Sequence, residues 1–145
     1  VARTYRKAID DYMESEEKYR ANMEYYKREI AKCTYRQFTT GFYFGKTDSE
    51  SQIYDSNTYV KNYTYIGTVR EVTPDGCVCF EQKNKFLVGE KLEAMGFDGT
   101  NIECEVQAIY DEEENSMDSA PHPKQKLRVK LDKELETGII LRRKE

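Results

Sequence analysis

The chain has 145 residues, of which 38% are apolar, 12% aromatic and 34% charged, and its formal net charge is −4. This length fits one domain, or one domain with an arm, and the aromatic content argues against disorder throughout. The negative charge excludes a wholly basic nucleic-acid binder, although a local basic patch remains compatible with it. A single histidine excludes a metal site built on several histidines.

The first third of the chain predicts a helical arm over residues 1–34. Tyrosine and other apolar side chains recur there every three, four or seven residues, which places them on one helix face. Ser15, followed by Glu16 and Glu17, is typical of a helix start, so we expect helices over 2–13 and 16–32 with a bend near Ser15. One continuous helix is the alternative. We expect the tyrosine face to pack on a neighbouring domain, with self-association as the other hypothesis.

Residues 35–59 predict an extended linker that contains a first strand at 40–45. Two threonines and several aromatic residues surround Gly41, whose freedom in φ permits a sharp change of direction. Phe42 and Phe44 would share one face of a strand and enter the core, whereas Tyr43 would face a partner. Rings beside arginine and hydroxyl groups suit a nucleic-acid or partner surface. The alternative is an edge strand that packs the arm onto the following domain.

Residues 60–145 predict a small antiparallel β-barrel, so the fold class is mainly β with an N-terminal helical arm. The turn Thr73-Pro74-Asp75-Gly76 joins strands over 63–72 and 77–82 into a hairpin, and Asp98-Gly99 marks a second hairpin turn. In the strand 101–112, Ile102, Cys104, Val106, Ala108 and Tyr110 alternate with the residues that we expect to face outward, Ile109 among them. Strands over 126–131 and 138–144 complete the set.

The sequence lacks the features of a membrane span and of a signal peptide. No apolar run approaches the roughly 18 residues of a membrane span, and the start lacks both a signal-peptide core and an initiator methionine, which predicts a fragment of a longer cytoplasmic protein.

Cys33, Cys77, Cys79 and Cys104 could ligate zinc or an iron–sulfur cluster. However, Cys77 and Cys79 are separated by one residue rather than two, so we expect free core thiols with no metal and no disulfide.

Other candidate chemistry is weak. The acidic run 111–114 lacks the spacing of a calcium loop, and His122 stands between two prolines, so both are expected to be solvated parts of the loop 112–124. No glycine-rich phosphate loop occurs, and nothing supports self-contained catalysis. Charge is segregated instead: residues 46–118 carry 6 basic and 16 acidic side chains, whereas residues 124–145 carry 8 basic and 4 acidic ones.

Three ordered segments resemble a known family. They are YRQFTTGFYFG at 35–45, SQIYDSNTYVKNYTYIGTV at 51–69 and NKFLVGEKLEAMGFDG at 84–99. Together they resemble the C-terminal part of the family U32 peptidases, also called collagenase-like proteases. The resemblance covers about residues 1–100, and its one departure is Glu90, where the family pattern has aspartate.

The resemblance implies a larger architecture than this chain holds. Full-length members carry an N-terminal catalytic domain, which binds an iron–sulfur cluster in some of them, and residues 1–13 would be its last helix. The C-terminal region would resemble the second-domain barrel of translation elongation factors. Several relatives hydroxylate bases of tRNA or ribosomal RNA, so the substrate is either such an RNA or a polypeptide. No cofactor is expected in this fragment.

Two hypotheses of function follow. In the first, the chain is a non-catalytic accessory barrel that docks on its catalytic domain and helps to hold a macromolecular substrate. In the second, it is a structural or oligomerisation module without substrate contact, which the acidic middle of the chain favours. For the first hypothesis the candidate binding residues are Arg36, Thr39, Thr40, Phe42, Tyr43, Phe44, Lys126, Arg128, Arg142 and Arg143. Salt-sensitive RNA binding would distinguish the two hypotheses.

Overall fold

The structure is a computed structural model and describes residues 1–35, 40–49 and 59–145. Three helices form the arm: α1 at Ala2–Glu14, α2 at Glu16–Ala21 and α3 at Met23–Ile30. The Ser15 side chain accepts a hydrogen bond from the backbone N–H of Lys18 at 3.1 Å, which caps α2 and confirms the predicted bend. The single helix expected over 16–32 is wrong, because the chain leaves helical geometry at Asn22 with φ −90° and ψ 4°.

The rest of the described chain is mainly antiparallel β-sheet. Its ten strands are β1 (Tyr63–Thr68), β2 (Glu71–Val72), β3 (Val78–Glu81), β4 (Phe86–Leu87), β5 (Lys91–Met95), β6 (Asn101–Tyr110), β7 (Ser116–Met117), β8 (Ser119–Ala120), β9 (Lys126–Leu131) and β10 (Ile140–Lys144). The main sheet has the order β1-β10-β5-β6-β9-β3-β2, with β7 beside β6, and β4 pairs separately with β8. The β2–β3 and β5–β6 hairpins confirm both predicted turns.

The described strands form the mainly antiparallel sheet that the sequence predicts, but no closed barrel is present among them. The sheet has two ends, β1 and β2, and no strand pairing joins them in the part of the chain that the structure describes. β1 also meets β3 along a seam, beside which Lys83 donates its backbone N–H to the carbonyl of Ile66 at 2.8 Å. Beside it the Phe80 ring lies against Gly67 so closely that a Cβ on this glycine would be 2.4 Å from the ring.

The register of β6 also differs from the alternation that the sequence predicts. Cys104 and Val106 are buried, but beyond them Ile109 is buried while Ala108 and Tyr110 are only half-buried. The pairing of β6 with β9 shifts between Val106 and Ala108, and such a bulge exchanges the two faces of a strand. The first half of β6 therefore pairs with β5, and the second half pairs with β9 and β7.

The core lies inside the curved sheet. Phe86, Leu92, Ile109, Val129 and Leu141 contribute fully buried side chains from five different strands. Their burial is the main source of stability for this half of the molecule, because each large apolar side chain contributes about 1.5–3 kcal/mol when it leaves water. No helix in the described ranges combines the length and the apolar character needed to cross a membrane.

The strand predicted at 40–45 is wrong. Tyr43 donates its backbone N–H to the carbonyl of Thr40 at 3.1 Å, and Gly45 donates to Phe42 at 3.2 Å, so the segment forms consecutive turns. These local bonds, together with a positive φ of 51° at Gly41, curl the chain and prevent the extended pairing of a strand.

Candidate functional site

The consecutive turns at 40–45 expose three aromatic rings. Phe42, Tyr43 and Phe44 are 78–85% exposed, and the last two rings meet edge to face at 5.0 Å between centroids. The expectation that Phe42 and Phe44 enter the core is therefore wrong, because a turn does not alternate its side chains between two faces. Thr40 is also exposed beside them. We call Thr40–Gly45 the aromatic turn. Arg36 and Thr39 lie outside the described residues.

Two candidate cations of β9 point to one face of the strand but differ in their partners. Lys126 is 73% exposed on its side chain and lies 3.8 Å from a carboxylate oxygen of Glu112. Arg128 is held more firmly, by Asp75 at 3.0 Å, by Glu114 and by the face of the Tyr110 ring at 4.5 Å. Lys126 is therefore the freer of the two for a partner.

The candidate cations of β10 also differ from each other. Arg143 lies at the surface, where it donates to the carbonyl of Lys85 at 3.0 Å and pairs with Glu90 at 3.2 Å. Arg142 is buried, with 7% of its surface exposed. Its guanidinium donates to Glu29 at 3.0 Å and to Glu93 at 2.6 Å, so Arg142 ties the arm to the sheet and presents no open surface to an RNA. No hydrogen bond or ion pair within the described residues joins these four cations to the aromatic turn.

Glu29 is the centre of a buried charge network between the arm and the sheet. Its carboxylate, 4% exposed, pairs with Lys32 at 2.7 Å, Arg3 at 2.9 Å and Arg142 at 3.0 Å. Burial alone would raise the pKa of Glu29, but hydrogen bonds from Lys32 and Arg142 outweigh burial and hold this pKa below its usual range. The network therefore keeps Glu29 ionised.

Arg3 extends this network to the β5–β6 hairpin. Its guanidinium donates to the carbonyls of Gly96 and Thr100 and to the side chain of Asn101, each at 2.9 Å. The Tyr25 hydroxyl donates to the carbonyl of Gly99 in the same hairpin. These contacts place the arm in one orientation on the sheet. Sequence reasoning missed them, because no local pattern shows which charges meet.

The opposite side of the arm carries an open, mainly apolar groove of about 470 Å³. Tyr5, Ile9 and Tyr12 line it from α1 and are more than half exposed, and Tyr19 and Met23 line it from α2 and α3. This groove is the tyrosine face predicted from the sequence, and we call it the arm groove.

The floor of the arm groove contains a buried hydrogen bond between α1 and α3. The Tyr26 hydroxyl donates to Asp11 at 2.7 Å, and Asn22 donates to the same carboxylate at 3.0 Å. The hydrogen bond from Tyr26 lowers the pKa of Asp11 to about 2, while burial and then this bond raise the pKa of Tyr26 to about 12. Both groups therefore keep one protonation state throughout the physiological range.

A second groove, of about 370 Å³, follows the seam between β1 and β3. We call it the seam groove, and it is lined by Tyr65, Thr68, Arg70, Glu71, Cys79, Phe80, Glu81, Lys83, Lys126 and Leu127. Of this set, sequence reasoning named Lys126 as a candidate binding residue and Cys79 only as a possible metal ligand. One signal could have indicated the site, since Arg70 is the only basic residue between Lys61 and Lys83.

The described cysteines do not fit an iron–sulfur cluster. No group of three histidine, cysteine or acidic side chains in the described ranges lies close enough together to hold a metal ion. Cys77 and Cys104 are buried, and burial raises the pKa of both thiols, that of Cys104 to about 12. A neutral thiol is a poor metal ligand. Burial of these two residues agrees with the core interpretation, and the expected lack of metal and disulfide stays a prediction.

The fold defines the chain as a mainly antiparallel β domain with a docked helical arm. Residues 61–142 match the family description "Peptidase family U32 C-terminal domain", and residues 1–53 match "Peptidase family U32". The chain therefore belongs to peptidase family U32 and carries its C-terminal domain together with a short piece of its main domain.

Other known proteins are similar to this chain. A Bacillus subtilis (strain 168) protein named "tRNA hydroxylation protein P1" is 31% identical over 144 residues, which are 99% of this chain but 34% of that protein. The chain thus spans about a third of this relative. Crystal structures of the C-terminal domain of a Geobacillus thermoleovorans U32 protein are 28% and 30% identical. They cover 55% and 56% of this chain and 99% and 91% of theirs, with TM-scores of 0.50 and 0.49.

Proposed function

We propose that this chain is the non-catalytic C-terminal region of a U32 protein that hydroxylates tRNA, and that it docks on the main domain and helps to hold the tRNA. The relative in Bacillus subtilis, similar along almost the whole chain, supports this substrate class. The match of residues 1–53 to the main family supports a position of the arm beside the catalytic part. The reaction, with any cluster it uses, then belongs to that part.

The aromatic turn is the observation that carries the proposal. Leaving Phe42, Tyr43 and Phe44 in water costs apolar burial at three consecutive positions, which a partner would recover. Every base has a flat π-face, and stacking on an aromatic ring stabilises a bound base by about 1–3 kcal/mol. Unpaired bases in tRNA loops can reach such rings, whereas a paired helix hides its base faces.

Charge is the second consideration. This chain has a net charge of −4, which favours RNA contacts that combine rings with a few cations over contacts through a broad basic surface. Lys126 and Arg143 retain partly exposed side chains for such contacts, whereas Arg142 is enclosed. We therefore favour local recognition of an RNA loop over wrapping of an RNA duplex.

The arm groove is the proposed docking surface for the main domain. Its exposed tyrosine and isoleucine side chains form a continuous apolar strip, and such a strip in a folded protein indicates a partner surface. Tyrosine suits a domain interface because its ring buries area while its hydroxyl finds a hydrogen bond.

The test uses the full-length protein in a bacterium that lacks its own tRNA hydroxylation genes. Phe42, Tyr43 and Phe44 are replaced together by alanine, and hydroxylated nucleosides in tRNA are measured by mass spectrometry. We expect the modification to fall tenfold or more while the thermal midpoint stays unchanged. The matched control is Phe97→Ala, which removes another exposed ring, 66% exposed, from the β5–β6 hairpin.

The alternative is a structural or oligomerisation module, which the acidic segment 46–118 favours. In that case the triple variant leaves tRNA hydroxylation unchanged and alters the sedimentation coefficient of the full-length protein. A full-length protein that modifies no tRNA and cleaves a polypeptide would contradict the proposal at the level of the substrate.

A further inference from the structure

The seam groove combines the three features that a nucleotide needs: an apolar floor, an exposed ring and cations at the rim. Phe80 and Leu127 form the floor, and both are buried core residues whose positions the sheet determines. The groove volume of about 370 Å³ lies in the range of small-molecule sites. It follows the seam between β1 and β3, two strands for which no ladder of paired residues is present among the described residues.

The exposed ring belongs to Tyr65 of β1. The ring is 42% exposed, and its hydroxyl shares a 2.9 Å hydrogen bond with the side chain of Thr68. Asn84 donates to the backbone carbonyl of Tyr65 at 2.7 Å. The bond to Thr68 restrains the ring, and the bond from Asn84 restrains the backbone beside it, which reduces the entropy lost when a base stacks on the ring.

The cations differ in how strongly the protein already engages them. The side chain of Arg70 is exposed and forms no hydrogen bond or ion pair with any residue that the structure describes. Among the described residues, Lys126 has one ion pair, at 3.8 Å with Glu112, whereas Lys83 is paired with Glu81. Arg70 and Lys126 therefore lose little when they neutralise phosphates, since an ion pair at the surface contributes at most about 1 kcal/mol.

Two carboxylates, Glu71 and Glu81, also line the groove. They disfavour a ligand with several adjacent phosphates, such as a nucleoside triphosphate, and they leave the lining with one net positive charge. A carboxylate can instead accept a hydrogen bond from the amino group of a base. Cys79 remains a neutral wall, because burial, assisted by the charge of Glu71, raises its pKa.

We propose that the seam groove binds one nucleotide of single-stranded RNA. The base stacks on Tyr65 above the Phe80 and Leu127 floor, and the flanking phosphates lie against Arg70 and Lys126. The proposal rests on the proposed function for its substrate class and adds a second RNA contact, separate from the aromatic turn.

The test measures RNA binding by the purified 145-residue chain. Fluorescence anisotropy follows a labelled single-stranded oligoribonucleotide and a duplex of equal length across a salt titration. We expect the single strand to bind more tightly than the duplex. Arg70→Ala and Lys126→Ala should each weaken binding and lower the slope of log affinity against log salt by about 1. Lys133→Ala is the matched control, because this exposed lysine lies 3.8 Å from Asp132 and outside the groove.

The ring is tested with two substitutions of the same residue. Tyr65→Ser should lower affinity about tenfold, and Tyr65→Phe, which keeps the ring, should restore most of it. Thermal midpoints of all variants establish that they are folded. Equal effects of Arg70→Ala and Lys133→Ala, equal effects of the two Tyr65 substitutions, or no RNA binding by the unsubstituted chain would overturn the proposal.

The outcome separates this proposal from the proposed function. If hydroxylation in the full-length protein depends on the aromatic turn while the seam variants bind RNA normally, the seam groove is wrong and the tRNA function stands. If substitutions in the aromatic turn leave tRNA hydroxylation unchanged and substitutions in the seam groove leave RNA binding unchanged, both proposals are wrong.

Discussion

The two sides of the helical arm differ in the kind of contact that they offer. The side facing the sheet buries charges that each have named partners, with Glu29 contacted by Arg3, Lys32 and Arg142. On the other side, Tyr5 and Ile9 line the open, mainly apolar arm groove and are more than half exposed. Buried ion pairs tolerate few orientations, whereas apolar contacts tolerate many. The arm is therefore fixed in orientation on its own sheet, whereas the proposed docking of the arm groove on the main domain would allow more than one orientation.

Glu29→Ala should have the largest effect, because it leaves three cations without their shared anion. Removing one partner of a buried ion pair costs about 3–5 kcal/mol, and the free energy of unfolding should fall by this amount in denaturant titrations. Glu24→Ala is the matched control on α3, where an exposed carboxylate pairs with Lys27 at 2.9 Å. Equal losses for the two variants would show that the network does not hold the arm.

Tyr26→Phe should cost about 1.5–3 kcal/mol at neutral pH, because Asp11 loses a buried hydrogen bond to its charged form. The folded pKa of Asp11, about 2, lies below its unfolded value of about 3.9. Its contribution to stability is therefore present above pH 4 and is lost as the pH falls towards 2.

Since the variant has a smaller pKa shift, the stability difference between it and the unsubstituted chain should shrink between pH 4 and pH 2. Urea unfolding at several pH values measures this difference. A difference that stays constant down to pH 2 would contradict the assigned hydrogen bond.

Gly99→Ala should cost more than Gly41→Ala, although both glycines have positive φ. The φ of Gly99 is 96°, and a Cβ there would lie 2.4 Å from the Lys7 side chain and 3.2 Å from the Tyr25 hydroxyl. At Gly41 the φ is 51°, and a Cβ would meet nothing within 4 Å. We expect about 1–3 kcal/mol for Gly99→Ala, from crowding added to backbone strain. A larger loss at Gly41, measured by thermal unfolding, would refute the close contact between hairpin and arm.

Substitutions in the arm groove should have the smallest effect on this chain. Tyr5→Ser and Ile9→Ser remove exposed side chains, so the free energy of unfolding should change by only about 0.5 kcal/mol in either direction. The same substitutions in the full-length protein should destabilise it more, because the proposed docking on the main domain would cover the groove. Identical stability changes in the chain and in the full-length protein would contradict docking through this surface.

Patterns of neighbouring residues predicted the helix cap and the turns. They did not predict the features that depend on contacts between segments distant in the chain. The cap at Ser15 and the turns at Thr73–Gly76 and Asp98–Gly99 depend on neighbouring residues, and all three are present. The bulge in β6 depends on β6 having to pair with both β5 and β9, so Ile109 turned inward against its apparent pattern. Closure of the predicted barrel likewise depends on distant segments, and no strand pairing joins β1 to β2 in the described part of the chain.

The candidate site was predicted by residue type better than by position. Aromatic side chains near Gly41 were recognised, but the face assignment of Phe42 and Phe44 assumed a strand that local turn bonds replace. Arg142 was chosen for its charge, and its burial against Glu29 follows from a helix 113 residues away in the chain. Arg70 was missed because an isolated cation in a strand-rich segment does not indicate a binding site. The groove that Arg70 shares with Tyr65 and Lys126 is seen only in the structure.

The sequence by itself determined the family, the helical arm, its bend and the antiparallel hairpins, because each depends on ordered motifs or on hydrogen bonds between residues close in the chain. Only the tertiary structure decided which charges are buried, where the sheet remains open and which rings face water. Those properties depend on side chains brought together from separate elements, and solvent exclusion, which sets the strength of each charge and each apolar contact, exists only after that assembly.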